Sequence, residues 1–99
     1  MFFTVYSVDK PFSAGLRSVT RDQHLAYLAA SGTTIRFAGP LMSEDGEKMV
    51  GSFLVLEADS LAAARNWAAN DPYAKVGLFE SSEVRPWRFL FEKGVRREG

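Results

Sequence analysis

Residues 33–57 read TTIRFAGPLMSEDGEKMVGSFLVLE, and how this stretch pairs decides the fold. TTIRFAGPL (33–41) and MVGSFLVLE (49–57) are rich in β-branched and aromatic residues, and the polar piece between them carries the turn dipeptide Asp45–Gly46. They predict two strands joined antiparallel. Working outward, each is flanked by a helical pattern. Before them, Thr20-Arg21-Asp22-Gln23 fits a capping box, Leu25, Leu28 and Ala29 share a face, and Gly32 stops the run. After them, Ser60 caps LAAARNWAAN, whose Leu61, Ala64, Trp67 and Ala68 lie together. Asp71–Pro72 closes this second helix, because the residue before proline is pushed out of helical geometry.

The ends supply the outer strands. FFTVYSV (2–8) has large apolar groups on both alternating faces, and KVGLFESSEV (75–84) returns as a strand. Pro86 marks the next extended piece, RPWRFLF (85–91), as an edge or a strand that changes partner. Strand, helix, strand, strand, helix, strand is the split βαβ order. The expectation is an α+β, ferredoxin-like βαββαβ domain with a short extra C-terminal strand, spanning residues 1–93, followed by a polar tail, 94–99. Two helices cover one face of its antiparallel sheet. Phe2, Tyr6 and Val8 make the other face apolar as well, which predicts a homodimer packed sheet to sheet.

Composition narrows the function classes. At 99 residues, with twelve basic and twelve acidic side chains, the chain has no net charge to neutralise phosphates or hold a membrane surface. VGSFLVLE also departs from the third-strand signature of RNA-recognition domains, with Val50 at the basic position and Ser52 at the first stacking aromatic. Nucleic acid and membrane are therefore not expected partners. The absence of cysteine removes disulfides, thiolate catalysis and cysteine metal sites, and together with the lack of a basic leader it predicts a cytoplasmic protein. One histidine leaves no metal-ligand pattern, and no G-x-G-x-x-G or phosphate loop is present, so neither metal nor cofactor is expected.

Several residues in order carry a resemblance: Arg21 and His24-Leu25, Ala38-Gly39-Pro40, Gly51-Ser52, Trp67, Asp71-Pro72-Tyr73, Gly77, and Val84-Arg85-Pro86-Trp87. Over about residues 3–91 this series resembles the YciI-like proteins, the YCII-related domain. The resemblance implies a dimeric α/β barrel with a cleft holding a proposed catalytic His and Asp, which fall here on His24 and Asp71. Lys75 and the Pro-, Phe- and Gly-containing loop before the first helix depart from the family pattern and bear on access to the cleft.

Chemistry is compatible with that pair. A carboxylate bonded to one ring nitrogen fixes the tautomer and leaves the other nitrogen to move a proton near neutral pH. Ser52 and Tyr73 offer hydroxyls for substrate binding, and Gly39, Pro40 and Gly51 permit close approach of backbone to a ligand. The expected function is a cofactor-independent lyase or isomerase acting on a small, hydroxylated or aromatic molecule. The alternative is a non-catalytic ligand-binding or accessory homodimer with the same pocket. Blander readings stand beside these: His24 as a half-buried structural residue, Asp71 as a helix stop, Gly39–Pro40 as a turn, Trp67 as core.

Overall fold

The computed structural model describes residues 1–97. The element order is β1 (Phe2–Asp9), α1 (Ala14–Ser31), β2 (Ile35–Met42), β3 (Met49–Glu57), α2 (Leu61–Ala69), α3 (Pro72–Lys75), β4 (Phe79–Trp87), and a hairpin of β5 (Phe91–Glu92) and β6 (Val95–Arg96). The first four strands form one antiparallel sheet in the order β2-β3-β1-β4, the ferredoxin-like arrangement, with the helices on one face. Residues 33–57 do form a hairpin. Gly46 turns it with a φ of 76°, while the backbone N–H of Ser43 donates to the Lys48 carbonyl.

Opposite residues on paired strands share a face, which sorts the sheet. Val5 stands opposite both Leu54 and Val84, and Phe3 opposite Leu56. Val5, Leu54 and Leu56 pack with Ala68 of α2 as the core, joined by Leu28, Ile35 and Trp67. Ser60 caps α2 as its sequence predicts, its side chain accepting from the Ala63 N–H at 3.0 Å. On the other face, Tyr6, Phe37 and Phe53 are 49 %, 50 % and 37 % exposed. The C-terminal segment covers part of it: Phe89 is buried, with its ring 5.7 Å from Phe2 and 5.9 Å from Phe37.

Three expectations need correction. α1 begins at Ala14, so the capping box at Thr20 lies inside the helix. The chain turns at Pro11 and at Phe12, whose φ is 59°, and Ser13 precedes the first helical residue. The buried face of α1 is accordingly Arg17, Thr20 and His24, while Leu25 is 45 % exposed and Ala29 faces solvent. Second, Val95–Arg96 pair with Phe91–Glu92, so ordered backbone continues past residue 93; residues 98–99 of the expected tail lie outside the described residues. Third, Lys75 belongs to the short helix α3 rather than to a strand, and Gly77, with a φ of 75°, makes the turn into β4.

Candidate active site

α1 crosses the sheet with its polar stripe inward. Positions 17, 21, 24 and 28 are spaced by three and four residues, so they lie on one side of the helix. Each lines a cavity of about 140 Å³, whose far wall is Ala38, Gly39 and Pro40 of β2 with Ser52 and Leu54 of β3. Tyr73 from α3 completes it.

His24 and Asp71 meet. His24 Nδ1 lies 2.8 Å from Asp71 Oδ1, and both side chains are more than nine-tenths buried. A carboxylate accepts, so the ring donates from Nδ1, and in the neutral imidazole Nε2 is left as the acceptor. Nε2 has no protein partner among the described residues, and it is not among the fully enclosed unpaired atoms. It therefore opens on the cavity that His24 lines.

Asp71 is also the helix punctuation that its sequence suggests. Its Oδ1 accepts from the Tyr73 N–H at 3.0 Å, capping α3 with Pro72 at the first helical position. The two roles share one oxygen. Capping fixes the carboxylate, and the same turn lays the Tyr73 ring on the histidine, with centroids 4.0 Å apart and planes 17° apart.

Arg17 and Asp9 were not legible as site residues. Arg17 Nε and Nη2 donate to the two Asp9 oxygens at 2.7 and 2.9 Å, and Nη2 also donates to Ser52 Oγ at 3.0 Å. Its guanidinium lies 4.6 Å from the Tyr73 ring centroid. Burial pulls the Arg17 pKa down, but hydrogen bonds and charge interactions with Asp9 and, less strongly, Tyr73 together more than offset this, and the net shift is upward. The signal that reveals Arg17 is its place two turns before His24, visible only when the helix is started at residue 14.

The other expected residues divide. Ser52, Tyr73, Gly39 and Pro40 all line the cavity. Gly51 serves strand packing: a Cβ there meets the Ser7 carbonyl at 2.3 Å, so the close approach is to protein, not ligand. Lys75 is exposed and is not among the lining residues. Away from the cavity, Arg36 pairs with Glu57 and Arg85 with Glu83. Among the described residues no group of three His, Asp or Glu side chains is placed to hold a metal ion, and no helix is long and apolar enough to cross a membrane.

Burial raises the Tyr73 pKa above its ordinary 10.0, and the charges of Arg17 and Arg21 oppose this without cancelling it. The unfolded phenol then ionises first, so Tyr73 contributes stability below pH 10 that is lost as the pH rises through its folded value. Tyr73→Phe is expected to flatten the alkaline fall in stability by at most about 1.4 kcal/mol per pH unit. Urea unfolding at several pH values above and below 10 reads this directly. Identical slopes in the two proteins would show that the phenol is solvated.

A split βαβ domain with a small cavity on its helical face and a buried His–Asp pair at the cavity wall is an α+β protein of ferredoxin-like architecture. The chain belongs to the YCII-related domain family, whose sequence model matches residues 1–88. It is 34% identical over 98 residues to Protein YciI of Escherichia coli, an alignment covering 92% of this chain and all of the relative. An uncharacterized protein of Haemophilus influenzae is 32% identical over the same length and shares of the two chains. Among solved structures, 5-chloro-2-hydroxyhydroquinone dehydrochlorinase (TftG) of Burkholderia phenoliruptrix, in complex with 2,5-dihydroxybenzoquinone, superposes with a TM-score of 0.82 at 36% identity. That match covers 89% of this chain and 94% of the other.

Proposed function

We propose that the protein is a cofactor-independent enzyme of lyase or isomerase type, in which His24 transfers a proton within a hydroxylated single-ring substrate and Asp71 orients it. The observation that carries this reading is the 2.8 Å contact between His24 Nδ1 and Asp71, which commits one ring nitrogen and leaves Nε2 on the cavity. Nε2 removes a proton from a ring carbon or hydroxyl, and the imidazolium so formed is held by the carboxylate. Return of the proton to another position is isomerisation. Departure of a leaving group from the resulting anion is elimination. A cavity of about 140 Å³ matches one six-membered ring, since an apolar void of about 150 Å³ accepts benzene. The dehydrochlorinase neighbour and its bound dihydroxybenzoquinone support the same substrate class.

Incubation with 1,2,4-trihydroxybenzene in heavy water tests the proton transfer, with ring deuteration followed by NMR, and chloride release from 5-chloro-2-hydroxyhydroquinone tests elimination. Faster exchange or chloride release than in buffer is expected. If the rings bind and neither reaction accelerates, the protein is the non-catalytic binding module instead.

A homodimer across the open sheet face belongs to the same reading. Tyr6, Phe37 and Phe53 remain exposed there, an apolar patch of the kind that a second copy buries. Light scattering should read about 22 kDa, twice the 11.0 kDa chain. A mass of one chain at micromolar concentration sinks the dimer.

A further inference from the structure

One cation at the cavity has no ion-pair partner among the described residues. Arg17 is answered by Asp9 at 2.7 Å, but Arg21, one turn further along α1 and also lining the cavity, makes no ion pair among the described residues. Arg21 is exposed on the helix, so its charge sits at the cavity's edge in water. Its field nevertheless acts within, because with Arg17 it opposes the burial that keeps the Tyr73 phenol protonated.

Two hydroxyls face the same space. Ser52 is 3 % exposed, and its Oγ accepts from Arg17 Nη2 at 3.0 Å. A hydroxyl has one proton and two lone pairs, so an Oγ that accepts from a guanidinium keeps its own proton for another acceptor. Arg17, pinned by both oxygens of Asp9, thereby presents Ser52 as an oriented donor. Tyr73 is 1 % exposed and lines the same cavity, and the Arg17 guanidinium bonds to its phenol oxygen, which leaves the phenol's own proton, like that of Ser52, for another acceptor. Ala38, Pro40, Leu28 and Leu54 make the remaining wall apolar.

Donors and an unanswered cation around an apolar slot select for negative oxygen. We infer that the ligand is an anion, a single oxygenated ring with a carboxylate, phenolate or enolate oxygen, whose charge is held by Arg21 while Ser52 and Tyr73 donate to it. This rests on the reading of the cavity as a ring-binding active site and names what that site selects. A guanidinium suits the task because it presents planar paired donors to a delocalised oxyanion. Ser52 is then a binding donor. The same placement lets an anion that forms when His24 removes a proton stay bound without solvent.

Calorimetry with two probes of one ring size tests it: 2,5-dihydroxybenzoquinone, a vinylogous acid ionised at neutral pH, and hydroquinone, neutral there. Wild type should bind the anion at least about tenfold more tightly, with an affinity that falls as salt is added. Arg21→Gln, a change on an exposed helical surface, should abolish most of that preference while leaving hydroquinone binding unaltered, and Arg21→Lys should keep part of it. Equal affinities for the two probes, or a preference untouched by Arg21→Gln, overturns the anion inference and leaves the ring-binding site standing. Binding of neither probe overturns both.

Discussion

Arg17→Met should lower the free energy of unfolding by about 3–5 kcal/mol, the loss that follows when one partner of a buried ion pair is removed. The side chains of Arg17 and Asp9 are 6 % and 7 % exposed, so Asp9 left alone keeps a desolvated carboxylate with no donors. A domain of this size has about 5–15 kcal/mol in total, and the substitution therefore removes about a fifth or more of its stability. Methionine keeps most of the arginine's packing, which assigns the loss to charge and hydrogen bonds rather than to a void. Asp9→Leu combined with Arg17→Met should restore much of the deficit, because no buried charge remains. Urea unfolding followed by the fluorescence of Trp67 and Trp87 measures both. A loss below about 1 kcal/mol for the single variant is the behaviour of a solvated surface pair and would remove the basis for treating Arg17 as the fixed support of Ser52.

Arg17 also shows where the sequence stopped speaking. The strands were legible because β-branched and aromatic residues fill them, and Val5, Leu54 and Leu56 are buried in the core they build. The second helix was legible through Ser60, whose cap needs only the neighbouring backbone. The first helix was legible in its end at Gly32 but not in its start or its buried face, because its inward stripe is Arg17, Thr20 and His24, polar residues that periodicity arguments assign to solvent. Their burial is compensated by partners far away in sequence, Asp9, Ser52 and Asp71, and no local window contains both ends of such a bond. Asp71 was half legible. Its proline-linked stop is local chemistry, while its contact with His24 spans 47 residues and entered only through the family resemblance. The C-terminal hairpin was missed for a related reason: two-residue strands carry no period, and Phe89 is fixed by Phe2 and Phe37 on the sheet.

The largest catalytic effect should come from the pair itself. With any turnover established for wild type, His24→Asn should lower kcat/KM by about 10²–10⁴-fold, the usual contribution of a positioned acid–base group. Asp71→Asn is the more telling change. Asparagine can still accept from the Tyr73 N–H and keep α3 capped, so the fold is retained. The same oxygen still accepts from His24 Nδ1–H, so the tautomer is kept, but the neutral amide no longer stabilises the imidazolium that forms when Nε2 takes a proton. Activity should therefore fall nearly as far as in His24→Asn, with unfolding free energy changed little. The double variant should be no worse than His24→Asn alone, since the two residues act as a unit and their effects do not add. If Asp71→Asn instead lowers stability and spares turnover, the carboxylate is a cap and nothing more. If the two losses multiply, His24 and Asp71 act at separate steps, and the shared 2.8 Å contact is not what drives proton transfer.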